Sequence, residues 1–423
     1  MQYTKKDLGS FNLHMIKTDK FKTITLRIVF HSPIVKEEIT KRLALSEILL
    51  QSSYNYPTRR DLTIKAEELY SADVYSNTSR VGNYINTSFT ISVLNDKYTE
   101  EGNMKKAIEF ISDVILNPNV ENKAFKYDKL EIVKNNIKVA IDSVKEDTTG
   151  YSLMRLAEEF DKTSPVSYRM IGYSEDLDNI DISNLYEFYK KVINNDYIDI
   201  FIIGDIEKKE ILQIIKNNFK FRTIKKKKAP YELKPKKCRS RRLIAKETIN
   251  NSQSKLVIAC PINKLTSYEK QYVLPLANII YGGGTDSRLF KHVREENSLC
   301  YSINSSTRVL DSLLVISAGI DKDNYKTTLH LATKLLEELK RAKITEKDIN
   351  KAKELYKTAI DSIEDNEYQV INEYFKEEIL SLDNYKERFK NIDKVKRTEI
   401  IKVFRKINMD TVFLLEGVEE WKR

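Results

Sequence analysis

Cysteine, histidine, glycine and proline are all scarce in this 423-residue chain. The 3 cysteines, Cys238, Cys260 and Cys300, form no CxxC pair and cannot build a disulfide framework. That scarcity points to a reducing compartment and a cytoplasmic location. With 11 Gly and 8 Pro, collagen-like and proline-rich structures are excluded. No apolar run approaches the ~18 residues of a membrane-spanning helix, so no membrane partner is expected. The first twenty residues are polar and charged, without the apolar centre of a signal peptide. What is present is 41% hydrophobic and 10% aromatic, which argues for a globular chain rather than a disordered one. Its length suits two or three domains.

The net charge of +10 is local. Residues 222–242 read RTIKKKKAPYELKPKKCRSRR, with 11 Lys or Arg against one acid, Glu232, so this run alone accounts for the excess. A nucleic-acid surface would spread its cations over a folded face, so nucleic acid is not the expected partner. The run also holds Pro230 and Pro235 and lacks a hydrophobic period. It reads as a solvated linker between a domain at 1–221 and a second at 243–423, with an anionic-partner site as the alternative.

The two sides of this run carry similar element orders. In the first, alternation predicts strands at 12–16, 23–31, 73–80, 84–94 and 197–204. Helical periods fall at 38–52, 62–71, 104–116, 122–143, 152–161 and 182–193. In the second, strands are expected at 243–248, 255–260, 300–306, 313–318 and 411–415. Helices are expected there at 268–280, 287–295, 324–341, 346–364, 367–382 and 397–407. The closing strands, starting at Asp196 and Asp410, resemble each other at a separation of 214 residues. A duplicated α+β unit follows, each copy an antiparallel sheet with helices on one face.

Ordinary catalytic motifs are missing. The 4 histidines, His14, His31, His292 and His330, belong to no HExxH or HxxEH, and no GxSxG elbow occurs. His14 and His31 fall on half-buried strands and read as hydrogen-bonded structural residues. Gly282-Gly283-Gly284 is followed by no Lys-Ser/Thr, so a phosphate loop is a weak reading. One constellation stands out at 281–305, YGGGTDSRLFKHVREENSLCYSINS. A flexible glycine turn enters a short helix with Leu289, Phe290 and Val293 on its apolar face. Arg294 lies near the helix end, and Tyr301 seven positions later on a strand. Such a pair can hydrogen-bond a peptide carbonyl and stabilise negative charge growing on it. Equally, Arg294 can cap the helix end while Tyr301 packs beneath it.

The run 282–302 resembles the carboxyl-terminal-domain pattern of the M16 family (pitrilysin, insulinase, mitochondrial processing peptidase), in which an Arg and a Tyr seven apart assist peptide binding. Arg294 and Tyr301 match those positions, and Gly282, Gly283 and Gly284 resemble a short form of the glycine-rich loop of the non-catalytic subunit. The opening segment 17–23, KTDKFKT, is similar to the YmfF (YfmF) subfamily. The resemblance implies the M16/LuxS-metallohydrolase-like fold. Active members carry HxxEH and a distal Glu. Here the best register sets Ala44 and Ile48 in place of the histidines, keeps Glu47 where the base would be, and offers Asn136 at the distal position. Alanine and isoleucine cannot bind zinc, and one amide is a poor substitute for a carboxylate.

The chain is therefore expected to hold no metal and to have no catalytic residues of its own. The resemblance implies a zinc-bearing HxxEH partner (YmfH-like) and a peptide or protein substrate gripped by Arg294 and Tyr301. Elongation factor P 5-aminopentanol modification and peptide maturation are the settings associated with such relatives. The competing expectation is a non-enzymatic scaffold that uses 222–242 to hold an acidic or nucleic-acid partner.

Overall fold

The computed structural model describes residues 1–223 and 229–418. Contacts divide the chain into two compact units, Met1–Ser143 with Arg169–Ala229 and Val144–Tyr168 with Pro230–Arg423.

In the first unit, β1 (Gln2–Asp7), β2 (Asn12–Lys17), β3 (Thr23–Pro33), β4 (Asp73–Val81) and β5 (Tyr84–Leu94) precede a two-residue hairpin, β6 (Val120–Glu121) with β7 (Ala124–Phe125), and β8 (Tyr197–Gly204) follows. The six long strands form one sheet in the order β1-β2-β8-β3-β5-β4, with only β2 and β8 parallel. Among the helices of the first half are α1 (Ile39–Ile48), α2 (Arg59–Glu68), α3 (Asn103–Leu116), α4 (Tyr127–Asp142), α5 (Thr148–Phe160), α6 (Ser174–Leu177), α7 (Ile182–Asn195) and α8 (Lys208–Asn218).

Alternation decides which face of the sheet they cover. Ile24, Leu26, Ile28 and Phe30 of β3 and Phe89, Ile91 and Val93 of β5 point one way. They meet Ala44 and Ile48 of α1, Ile108 and Ile111 of α3, Leu185 of α7 and Ile211 of α8 in a single core. Helix α7 starts where Asp181 and Asn184 close a reciprocal capping box.

The opposite face of this sheet is polar at its centre. Asp199 accepts hydrogen bonds from His14 Nε2 (2.9 Å), His31 Nε2 (2.6 Å) and Asn12 Nδ2 (2.9 Å). Tyr3 on β1 donates to His14 Nδ1 at 2.7 Å. Both histidines are fully buried, as expected of structural residues on strands.

The second unit contains β9 (Leu243–Ile249), β10 (Ser254–Pro261), β11 (Cys300–Arg308), β12 (Leu313–Ile320) and β13 (Thr411–Gly417), in the order β11-β12-β10-β13-β9. Only β13 and β9 are parallel. Its helices include α9 (Leu274–Tyr281), α10 (Tyr325–Lys340), α11 (Glu346–Asp361), α12 (Glu367–Leu380), α13 (Tyr385–Asn391) and α14 (Arg397–Arg405). From the parallel pair outward, β9-β13-β10-β12-β11 repeats β2-β8-β3-β5-β4 strand for strand. The α+β duplication expected from sequence is thus present, and β1 is an addition to the first copy.

Two expectations about the boundary need correction. Residues 144–168 precede the basic run but belong to the second unit. There Tyr151, Leu156 and Phe160 of α5 pack on Val257 and Ala259 of β10 and Phe413 and Leu415 of β13. Nor is the described part of the basic run a solvated tether. Tyr231 is buried, and the Leu233 amide donates to Leu310 O at 2.8 Å. Arg239 donates to Asp410, to Thr411 Oγ1 (2.7 Å) and to the carbonyls of Glu159 (3.2 Å) and Phe160 (3.0 Å), the last two at the end of α5. Asp410 is fully buried, so a cation is required beside it. Lys225 to Lys228 lie outside the described residues.

Asp196, the counterpart of Asp410 in the first unit, is held by Arg42 of α1 through Nη1 (2.6 Å) and Nη2 (3.1 Å). Both side chains are buried. Arg42→Met is expected to lower stability by about 3–5 kcal/mol, because it strands a buried carboxylate. Adding Asp196→Asn should recover part of that loss; thermal and urea unfolding of the three proteins measure it.

In the second unit, Arg388 of α13 lies between Glu373 and Glu377 of α12. Burial pushes the Glu377 carboxyl up from 4.5 to about 7, and Glu373 acts in the same direction, while Arg388 opposes them. The folded state then retains a proton that the unfolded state releases, so stability falls as pH rises from about 4.5 to about 7. Glu377→Gln should flatten this pH dependence of the melting temperature without abolishing folding.

Candidate functional site

Helix α1 presents Ala44, Glu47 and Ile48 at the i, i+3 and i+4 spacing that puts side chains on one face. Ala44 and Ile48 are buried in the core of the first unit. Glu47 is partly buried and lies beside Asn136 of α4, which is itself exposed. Burial raises the Glu47 carboxyl above its ordinary range, and the Asn136 amide opposes that shift. The structure therefore brings Glu47 and Asn136 together across two helices. A methyl group and a branched hydrocarbon occupy the other two positions. This set does not fit zinc, which takes imidazole, thiolate and carboxylate ligands. Among the described residues no group of three or more His, Cys, Asp or Glu is placed to hold a metal.

The glycine run behaves as a clasp. The amides of Gly282 and Gly283 both donate to Asn278 O, at 2.9 and 2.8 Å, ending α9. Gly282 O accepts from the Ser305 amide of β11 at 2.8 Å. A Cβ on Gly282 would stand 2.5 Å from Ser305 Oγ and 2.7 Å from Leu289 Cδ1, so only glycine permits this approach. Gly283 and Gly284 are exposed, and a Cβ on Gly284 would meet open space. The expected flexible turn is therefore fixed to the sheet at its first residue.

Arg294 lies on a single π-helical turn, Phe290–Glu295. Leu289 and Val293 are buried beneath it. Phe290 is turned partly outward, and its ring supports the Arg294 guanidinium 4.6 Å from the centroid. Tyr301 is 60% exposed, so it does not pack under the helix. Its hydroxyl donates to Asp321 Oδ1 at 3.1 Å, and that bond pushes the phenol above its ordinary pKa. Arg294 and Tyr301 are both exposed within the second unit, each with its own neighbour, and no hydrogen bond joins them among the described residues. The spacing of seven pointed to the pair. Asp321, twenty positions further on, carried no signal in the sequence.

A family profile described as "Peptidase M16 inactive domain" matches residues 179–356, a range that contains the glycine clasp, Arg294 and Tyr301. The "Probable inactive metalloprotease YmfF" of Bacillus subtilis is 28% identical over 98% of both chains. The chain is similar to the M16 peptidase family over these residues. Its likeness is to an inactive, YmfF-like homologue. A conserved protein from Enterococcus faecalis V583 superposes over 100% of both chains with a TM-score of 0.89 at 27% identity. A peptidase M16 inactive domain from Pseudomonas fluorescens shares the fold, with a TM-score of 0.79 at 16% identity over 100% of this chain and 99% of its own. No helix among the described residues is long and apolar enough to cross a membrane.

The α1–α4 geometry makes a direct statement about metal content. The purified chain is expected to contain no stoichiometric zinc, and EDTA should leave its melting temperature unchanged. Elemental analysis showing one tightly held zinc per chain would contradict the α1 register.

Proposed function

We propose that this chain is the non-catalytic subunit of a two-chain M16 peptidase. It lends Arg294, Tyr301 and part of the substrate chamber to a homologue that carries HxxEH and zinc. The observation behind the reading is an asymmetry between the two units. Where active relatives place ligands, α1 offers Ala44 and Ile48. Meanwhile the second unit keeps a guanidinium and a phenol exposed on its surface. An exposed Arg–Phe stack and an outward tyrosine add little to the fold but suit the backbone of a bound peptide. Gly282 clasps the edge strand β11 from which Tyr301 projects. The proposal extends to a cytoplasmic location and to a role in elongation factor P modification or peptide maturation, both drawn from the family resemblance.

The scaffold reading loses its main support in the anchored half of the basic run. Arg239 and Lys236 are occupied by Asp410 and Phe160 O within the second unit.

Reconstitution with an HxxEH homologue tests the proposal. Peptide cleavage should appear only in the mixture. Arg294→Ala should lower turnover by roughly 10²-fold, as for loss of a donor to a developing oxyanion. Arg294→Lys should also be impaired, because a point charge does not reproduce a planar fork. Thermal stability and complex formation should be unchanged. Turnover that falls only in proportion to lost folded protein, or not at all, would remove Arg294 from the reaction.

A further inference from the structure

We propose that Tyr301 meets a bound peptide as a hydrogen-bond acceptor, with Asp321 as the positioning residue that holds its proton. Arg294 and Tyr301 then read opposite polarities, a backbone C=O and a backbone N–H. The inference rests on the peptide-binding role proposed above and specifies its chemistry.

The argument begins with strand register. β11 is an edge strand paired on one side to β12. Cys300 pairs with Ile320 and Ser302 with Gly319, so Tyr301 is the extra residue of a β-bulge with no cross-strand partner. A bulge re-aims the side chain that it carries. Ile320 ends β12, and Asp321 is the next residue. The bulge therefore delivers the Tyr301 hydroxyl to Asp321 Oδ1 at 3.1 Å. Asp321 precedes a 3-10 turn, Lys322–Asn324, but its side chain makes no capping hydrogen bond there. Its carboxylate is available to the phenol.

Donor and acceptor inventories fix the outcome. A phenol has one proton and two lone pairs, whereas an ionised carboxylate can only accept. The proton between Tyr301 and Asp321 must come from the tyrosine. A hydrogen bond to a charged carboxylate is stronger than one to a neutral peptide carbonyl, so an arriving C=O does not capture the proton. What Tyr301 shows to a ligand is a lone pair, and the group that fits is N–H. Arg294 supplies only donors, and the group that fits it is C=O. An extended peptide offers both in each amide. Asp321 beside this acceptor disfavours acidic segments, so the ligand class is a neutral or basic extended peptide.

The first test uses the whole chain without a partner. 3-Fluorotyrosine at position 301, followed by 19F NMR against pH, should titrate at lower pH in Asp321→Ala than in the native background. Identical titrations would show that the pair does not exist and would overturn the inference.

The second test uses an alanine–lysine nonapeptide labelled with fluorescein, and an ester scan in which each backbone N–H is replaced in turn by oxygen. Binding is measured on the chain and on its mixture with the HxxEH homologue. One ester position should weaken binding about fivefold to tenfold, the size of one hydrogen bond. That penalty should vanish in Tyr301→Phe, shrink in Asp321→Ala and return in Asp321→Asn, whose amide oxygen still accepts the phenol proton. Peptide binding with equal tolerance of every ester overturns the acceptor role and leaves the subunit reading standing. Absence of peptide binding in both samples overturns the subunit reading and this inference with it.

Discussion

A buried carboxylate stands at the start of the closing strand in each half of the molecule, and each must have a cation. Asp196 and Asp410 are 3% and 0% exposed. An unpaired charge at such a position costs several kcal/mol, so whichever element supplies the arginine is fixed in place. In the first unit that element is α1. Arg42 grips Asp196 with two nitrogens and also donates to Ser32 of β3 at 2.6 Å. This ties α1 to one end of the antiparallel β3–β8 pair, where His31 lies opposite Tyr197, and sets which face of the helix meets the core. Ala44 and Ile48 then have no freedom to turn outward. In the second unit the equivalent helix, α9, supplies no such residue, and the chain leading into β9 does the work through Arg239. The duplicated sheets thus solve one electrostatic problem with arginines from different places.

The Arg42–Asp196 pair holds α1 in position with no metal ligand at Ala44 or Ile48. Here Ala44 and Ile48 join the hydrocarbon core, and Glu47 keeps a neutral partner in Asn136. Burial without a cation favours the protonated acid, and the Glu47 carboxyl is accordingly raised above its ordinary range.

Sequence periodicity revealed the sheets because the strands of the core alternate cleanly, as β3 and β5 do. It revealed α1, α3, α7, α10 and α11 because their apolar stripes are long. It missed β1, whose residues QYTKKD are mostly polar and lie at a sheet edge. It missed α13 and the two-residue hairpin of β6 and β7, where length is too short for a period to stand out, and it missed α8 although Ile211, Ile214 and Ile215 recur there at helical spacing. The basic run was misjudged for a different reason. Charge patterning treats each lysine or arginine as solvated, whereas Arg239 is held by a carboxylate 171 residues away. The site divides in the same way. Arg294 and Tyr301 were visible as a local spacing, but Asp321 joins them only through a bulge, and a bulge is a property of cross-strand register.

The bulge also bears on why β11 can stay exposed. An edge strand offers unpaired backbone groups to any other strand, and proteins blunt such edges with bulges, charges or covering segments. The residues of β11, CYSINSSTR, carry no charge until Arg308. Its opening is instead irregular at Tyr301, and its middle is clasped by Gly282 through Ser305. A flat edge would recruit a partner by backbone pairing along its length, with little regard to side chains. An edge broken at its first turn must recognise through what projects there, and what projects is Tyr301. The same irregularity that guards the sheet against indiscriminate pairing puts a tyrosine of fixed hydrogen-bond polarity on the surface.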